Sequence, residues 1–561
     1  MCGIFSILSN NVVIKDDINY NKWMKCFEKG YMRGPEHSIY KLLNYHVIYG
    51  FHRLAINGLD NISNQPITID NITLICNGEI YNYKELYKKF GYTPQTNSDC
   101  EIIIHLYKSL GIDNMIHILD GVFGFVLYDN NTNEVYVGRD PFGVRPVYIY
   151  KDESMYAFGS ELKVLHNLSN KGEIEHFQPG TYSCYLYKDN KWSSIIKNKS
   201  YYSINNNLNT STFTNNNEMF RELRNRLIDS VKKRVLTTDR PIACLLSGGL
   251  DSSLICSLVQ RETDFLYPGK KVETYSIGLE GSEDLYYAKK VADYIGTNHT
   301  SIVVDELTFL NAIPNVIKLV ETYDTTTVRA SVGNYLVSKY ISENSDAKVI
   351  FNGDGADELM GGYMYFHACP SSVEFDNECK RLLTNMHNYD VLRSDKSISS
   401  CGLEPRTPLL DKSWVQFYLS IPIEYRNHTI NKNIEKYLIR KAFSEKLMYS
   451  NSEMKCVLPD EVLWRKKEAF SDGVSKKTRS WYQIIQESVD LIDDIECIQV
   501  PTHLNTCGQP ITLEQRYYYM LFNDNYPNRS SILKYYWMPK YVESYDSSAR
   551  TLDVYNKNTG I

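Results

Sequence analysis

The stretch LLSGGLDSS, Leu245 to Ser253, lies between an apolar run, RPIACLL, and a helical one, SLICSLVQR. A buried strand that passes through two glycines into a helix opening with serines builds an anion cradle. The glycines let backbone N–H groups close around the charge, and the helix N-terminus adds positive potential. Ser247, Ser252 and Ser253 carry hydroxyls that can donate to phosphate oxygens, whereas Asp251 suits Mg2+ or the bracing of the loop. No G-K-[ST] follows, so this is not a Walker loop. The plainer reading is a glycine turn with a serine cap. The complete S-G-G-x-D-S-S after a buried strand favours nucleotide phosphate.

Downstream, strand and helix alternate. KVETYSIGL reads as a strand, and SEDLYYAKKVADYIG as a helix with Leu285, Ala288, Val291, Ala292 and Ile295 on one stripe. TSIVVD and AKVIFNGDG read as further strands, which predicts a doubly wound parallel sheet. The segment FNGDGADELMGGY (351–363) sets Asp354, Asp357 and Glu358 at a strand's C-terminal end. Alone it is balanced between a ligand site and a solvated turn. Beyond about residue 380 the chain reads as mainly helical, with an aromatic-rich, irregular tail.

Upstream, residues 2–202 read differently. HVIYGFHRLAI, ITLICNGEIY, GVFGFVLYD and EVYVGRD are short β-rich runs between Asn, Asp and Gly turns, and YKELYKKFG and SDCEIIIHLYKSLG have helical spacing. The Asn-rich SINNNLNTSTFTNNNE (203–218) reads as a linker. The chain opens MCGIF. A cysteine in second place makes chemical sense if Met1 is removed: Cys2 then carries a thiol nucleophile and an α-amine able to take its proton.

The 561 residues call for more than one domain. A formal charge of −6 without a long basic tract gives no support to a nucleic-acid or membrane-surface role. The 13 cysteines are scattered, with no C-x-x-C, which argues against a disulfide framework or zinc site and for a reducing, cytoplasmic setting. No apolar run approaches the ~18 residues that span a bilayer.

In this order, SGGLDSS, VETYDTTTVRAS, NGDGADELMGGY, GLEPRTPLLD and WRKKEAFSDGV resemble the glutamine-hydrolysing asparagine synthetases. MCGIF, RGPE, FHRLAI, NGEIYNYKEL, SDCEIII, LDGVFGF and GRDPFGVRPVY resemble that family's class II glutamine amidotransferase domain. The resemblance spans nearly the whole chain. It implies an N-terminal nucleophile αββα sandwich over 2–202, the linker 203–218, an ATP-pyrophosphatase synthetase domain over 219–540 with a helical C-terminal part, and a tail over 541–561.

The implied reaction makes asparagine from aspartate, ATP and glutamine through β-aspartyl-AMP, with Mg2+. Cys2 corresponds to the attacking thiol, and Asn77 and Gly78 to the oxyanion hole. Arg53, Leu54, Ile56, Glu79 and Asp99 correspond to glutamine-binding positions, Arg53 gripping the α-carboxylate. Leu245, Ile277, Asn352 and Gly353 correspond to the adenosine site; Ser247, Gly248, Gly249, Asp251 and Ser252 to the pyrophosphate loop. Arg329 corresponds to an aspartate-binding arginine, and Lys467 to a lysine that steadies phosphoryl charge. Asp284 corresponds to an acid near the loop, Asp251 and Asp357 to metal-facing acids, and Asp354 to a catalytic acid. The oligomeric state stays open, a homodimer being compatible.

Three departures stand out. Asn352-Gly353-Asp354-Gly355 replaces the family's usual Ser-Gly-Glu-Gly, so the acid at 354 is one methylene shorter. Glu36 replaces the Asp of R-G-P-D, and Pro405, Thr407 and Leu409 replace Ala, Val and Phe. Three alternatives remain: an amidophosphoribosyltransferase, for which the paired-aspartate phosphoribosyl loop is missing; a relative acting on another carboxylate; and a degenerate nucleotide-binding regulator.

Overall fold

The computed structural model describes residues 1–169, 171–204, 210–430, 432–468, 470–476, 479–504 and 511–552. The chain forms two compact units. The first comprises Met1–Asn206 with Thr237–Arg240 and Ser399–Glu404; the second comprises Asn207–Leu236, Pro241–Ile398 and Pro405–Ile561.

The first unit is built on two six-stranded sheets. Gly3–Ser9 lies inside one sheet, antiparallel to Val47–Arg53 and to Met155–Gly159. Ile72–Ile80 lies in the other, antiparallel to Gly121–Asp129, which in turn pairs with Glu134–Arg139. The apolar runs of the sequence become buried strands because both faces are covered. Ile4, Leu8, Val47, Phe51, Ile75, Val126 and Val137 form one core. Leu74, Cys76, Phe123 and Phe125 pack instead with Leu86 of the helix Tyr83–Phe90 and with Ile103 and Leu106 of the helix Ile102–Ile118. Helices Ile18–Glu28 and Leu162–Leu165 pack together on the other sheet. The layering is the αββα sandwich expected.

A five-stranded sheet runs in the order Asn298–Val304, Glu273–Leu279, Ile242–Leu245, Val349–Phe351, Glu404–Arg406, and its first four strands lie wholly in the second unit. The first four strands are parallel. The chain winds outward from Ile242–Leu245 in one direction and returns to its other side at Val349–Phe351. That reversal is where such sheets open a crevice. The helix Glu283–Ile295 begins where Ser282 accepts a hydrogen bond from Leu285 N and stops at Gly296, whose φ is 79°. Its buried face is Asp284, Ala288, Val291 and Ala292, with Leu285 and Ile295 half-buried.

The C-terminal part is mainly helical, as expected, with a short hairpin of Leu447–Met448 and Met454–Lys455. Of the expected linker, 205–209 lie outside the described residues, and its last three positions already belong to the helix Asn216–Leu236. Tail positions 553–561 also lie outside them. Among the described residues no helix is long and apolar enough to cross a membrane.

Candidate active sites

In the first unit, Cys2 stands at the entry to the strand Gly3–Ser9. Gly3 pairs with His52, so Arg53 and Leu54 end the neighbouring strand beside Cys2, and the Cys2 thiol donates to Leu54 O at 3.5 Å. Burial pushes that thiol up in pKa, against the pull of the nearby Met1 amine. The Met1 amine is itself brought down to about 5 by burial and donates to Leu403 O at 3.1 Å. While Met1 is attached the Cys2 nitrogen is an amide, without basicity.

Asn77 and Gly78 belong to the strand Ile72–Ile80 of the other sheet. Ser160 Oγ accepts from Ile4 N at 3.0 Å and from Asn77 Nδ2 at 3.5 Å, which ties Asn77 to the Cys2 strand. A Cβ on Gly78 would lie 2.3 Å from Val122 O, so only glycine fits there. Asp99 accepts from Ile80 N at 2.7 Å, and Glu79 accepts from Asn57 Nδ2. Leu54 and Ile56 are buried.

Arg53 is the exception to a simple substrate grip. Its Nη1 donates to Asp60 O and Asn64 Oδ1, and its Nη2 to Asn57 O and Gly58 O. In this structure the guanidinium holds the loop beside Cys2. The motif RGPE also gains a role: Arg33 Nε donates to Cys2 O at 2.9 Å, and Glu36 accepts from Ala55 N at 2.7 Å. The longer Glu36 side chain also reaches Arg240 at 2.7 Å.

In the second unit a cleft opens at the C-terminal ends of Ile242–Leu245 and Val349–Phe351. Leu245, Ser247, Gly249, Asp251, Ser252, Ile277, Asn352, Gly353, Asp354, Asp357 and Lys467 all line it. Gly248 has φ 74°, and a Cβ there would lie 2.5 Å from Ala288 N. Gly249 caps the helix Leu250–Leu266. The two loops meet backbone to backbone: a Cβ on Gly353 would lie 2.7 Å from Ser252 N. Ser247 Oγ and Ser252 Oγ share a hydrogen bond of 2.9 Å, whereas the hydroxyl of Ser253 is buried away from the cleft wall.

Four charges meet where the loops converge. Lys436 Nζ lies 2.5 Å from both Asp251 and Asp357, and Lys467 Nζ lies 2.6 Å from Asp357 and 3.9 Å from Asp251. Burial alone would raise the Asp357 carboxyl, but Lys436 and Lys467 outweigh it and hold it well below the usual range. Burial works against the charge on Lys467, and Asp357 and Asp251 keep it protonated. Two facing carboxylates, without a larger protein cage, suit a Mg2+ that keeps waters and phosphate oxygens as its other ligands. Among the described residues no group of three or more His, Cys, Asp or Glu side chains could hold a metal.

A second cluster lies alongside. Asp354 Oδ1 accepts from Arg393 Nη2 at 3.0 Å, and burial raises the Asp354 carboxyl. Tyr363 OH donates to Glu358 at 2.6 Å and lies 3.0 Å from Asp390. Burial, with Asp390 next, pushes Glu358 well up. Arg465 donates to Gly248 O at 3.0 Å and pairs with Asp284, whose carboxyl burial pushes up to about 7.

Against known sequences the result is direct. Residues 1–212 match the glutamine amidotransferase domain family, and residues 222–378 and 369–494 match the asparagine synthase family. The chain is 39% identical to the asparagine synthetase [glutamine-hydrolyzing] of Cricetulus griseus over 578 residues, covering 99% of each. The chain belongs to the glutamine-hydrolysing asparagine synthetase family. Its human member is 39% identical over 579 residues and its Gallus gallus member 38% over 580, again with 99% of each covered. A solved glutamine phosphoribosylpyrophosphate amidotransferase from B. subtilis is 14% identical, covers 67% of this chain and 79% of its own, and has a TM-score of 0.29, which carries no weight.

Arg329, the family position expected to bind aspartate, does not line the cleft. It is buried between Glu514 and Asp546, donating to Glu514 Oε1 at 2.8 Å and to Asp546 at 2.7 Å through each Nη. Two carboxylates already balance its charge, so in this position it has no fork to offer a substrate. Lys436, Arg393, Asp390 and Arg465, all cleft residues, escape the sequence reading. Lys436 falls in NIEKYLIRKAF, without a glycine turn or acid cluster to mark it.

Proposed function

We propose that the protein makes L-asparagine from L-aspartate, ATP and L-glutamine, releasing AMP, pyrophosphate and L-glutamate. The reading is supported above all by the Asp251–Lys436–Asp357–Lys467 cluster at the switch point of the sheet, in a chain matching its family from end to end. We assign the glutaminase to 2–202, the synthetase to 219–540, the linker to 203–218 and the tail to 541–561.

In the first half-reaction Cys2, freed of Met1, attacks the glutamine side-chain amide carbon, its proton passing to the α-amine. Asn77 Nδ2 and Gly78 N–H stabilise the developing oxyanion, each such donor being worth ~2.7–4 kcal/mol. Ammonia leaves, and water releases glutamate from the thioester. Glu79 and Asp99 meet the glutamine α-ammonium, Leu54 and Ile56 wall its chain, and Arg53 shapes the carboxylate end through the loop it holds.

In the second, the pyrophosphate of ATP lies over Ser247–Ser252 and the adenosine against Leu245, Ile277, Asn352 and Gly353. The aspartate β-carboxylate attacks the α-phosphorus and pyrophosphate leaves, with Lys467 meeting the charge that builds on it. Ammonia then attacks the β-carbonyl carbon and AMP departs. Asp354 is poised by Arg393 to take the excess proton. Asp251 and Asp357 would hold Mg2+, whose positive charge screens the phosphates when bound. A cytoplasmic homodimer completes the proposal, and sedimentation tests the assembly. Purified protein given glutamine, aspartate and MgATP should yield asparagine and pyrophosphate in equal amounts. Pyrophosphate without asparagine points to another carboxylate; neither product points to a regulator.

A further inference from the structure

The segment Ser544–Leu552 touches two walls of the synthetase cleft at once. One wall is the helix Thr325–Asn344, whose Thr326, Ala330, Asn334 and Val337 face the cleft at helical spacing. On its flank, beside that stripe, this helix presents Arg329, whose Nη1 and Nη2 each donate to the Asp546 carboxylate at 2.7 Å. The other wall is the segment around Lys467, with Lys466, Glu468 and Phe470 also lining the cleft. Arg550 Nε donates to Glu468 Oε1 at 2.9 Å, Arg550 Nη2 to Asp472 O at 3.1 Å and Arg550 Nη1 to Lys476 O at 3.0 Å. Ser548 Oγ adds a hydrogen bond to Asp472 Oδ1 at 2.9 Å.

The strip is itself ordered for this work. Asp546 accepts from Ser548 N at 2.7 Å, and Ser548 caps a short turn, Ala549–Thr551, that aims Arg550. The Arg550–Glu468 pair is only 12% and 9% exposed, so water screens it little. Glu468 adjoins Lys467 in sequence, and Lys467 Nζ is the ammonium 2.6 Å from Asp357. Fixing one residue of such a pair fixes the approach of the other.

We propose that Ser544–Leu552 is a strap joining the two walls, and that Arg550 is a positioning residue that sets Lys467 through Glu468. The inference rests on the asparagine synthetase reading only for which reaction is slowed. An error of ~1 Å in a charge-stabilising group can cost up to 10²-fold in rate, so a strap of this kind acts on turnover more than on nucleotide affinity.

The test uses the full chain. Arg550→Ala should lower kcat for ammonium-supported asparagine formation by about tenfold or more, relative to the glutaminase rate of the same sample, with a smaller change in the KM for ATP. Arg550→Lys should recover part of the loss. Glu468→Gln should lose a similar factor, and the double variant little more. Hydrogen exchange of amides in 465–476 should quicken in Arg550→Ala, a readout that holds even if the wild type makes no asparagine. That last result would overturn the functional reading and leave the strap to be judged by exchange. Unchanged exchange, wild-type kcat in Arg550→Ala, additive losses in the double variant, or an equal fall in both activities overturns the strap.

Discussion

Cys2 sits beside Arg53 and Leu54 with a thiol that burial makes reluctant to ionise. Such a thiol is slow to attack until a base takes its proton; in the mechanism proposed above that base is the α-amine uncovered by loss of Met1. Replacing Cys2 by Ala should remove glutamine-dependent asparagine formation while ammonium-dependent formation persists, as product analysis with each nitrogen source would show. Lys467 is held charged by Asp357 and Asp251. Lys467→Met should cut ammonium-dependent kcat by about 10²–10³-fold, the scale of losing one preorganised donor; a shift in KM alone would refute that role. At this scale the sequence was informative where residue types are rare in their setting, such as a second-place cysteine or acids after a glycine turn. It was silent on Lys436 and Arg393, because a lysine or arginine in a helical stretch looks the same whether it faces water or a carboxylate pair. It did not show the placement of Arg329, whose partners Glu514 and Asp546 lie far along the chain and could not be foreseen.

Elements carry a second kind of constraint, in the space between them. Gly353 packs against Ser252 N and Asp251, so a methyl group there would press one glycine loop of the cleft away from the other. Gly353→Ala should raise the KM for ATP and cost about 1–3 kcal/mol of stability, checked by steady-state kinetics and denaturant unfolding. The strand Val47–Arg53 offers a pH test. Burial brings His52 down to about 4, while its Nε2–H donates to Phe27 O (3.0 Å) and its Nδ1 accepts from the Ser38 hydroxyl (2.7 Å). An unfolded His takes up its proton near pH ~6.5. Between that pH and about 4 the unfolded chain therefore binds more protons, and stability falls as pH falls, by about 1 kcal/mol per pH unit for this residue. Tm should drop from pH 7 to pH 5, and His52→Gln should flatten the slope. Strands and helices with clear periodicity were legible in advance. Glu404–Arg406 was not, because Pro405 speaks against a strand and only its edge position tolerates it. The run SDCEIIIHLYKSLG gave a helix that breaks at Gly111, where φ is 71°, and a second helical stretch follows to Ile118.

At the scale of the molecule, two fold types share one chain, and the change from hairpins to strand–helix alternation announced both. What could not be read was how the chain is apportioned. Thr237–Arg240 and Ser399–Glu404 are embedded in sequence that otherwise builds the second unit, yet they cluster with the first. There Asp239 accepts from Gly58 N at 2.9 Å and Arg240 donates to Ala55 O at 2.8 Å, next to the loop held by Arg53. A fragment ending at residue 206 lacks these bonds. It should hydrolyse glutamine with a higher KM than the full chain, and matched KM values would disprove that dependence.

The same apportionment bears on how such a protein can be taken apart or recombined. The backbone passes from one unit to the other after 206, 236, 240, 398 and 404, so the chain crosses between them five times rather than once. A single protease nick leaves them tethered, and a chimera spliced at one junction inherits a glutaminase with two of its own patches taken from a stranger. Any exchange of modules with a relative has to transplant all three pieces together.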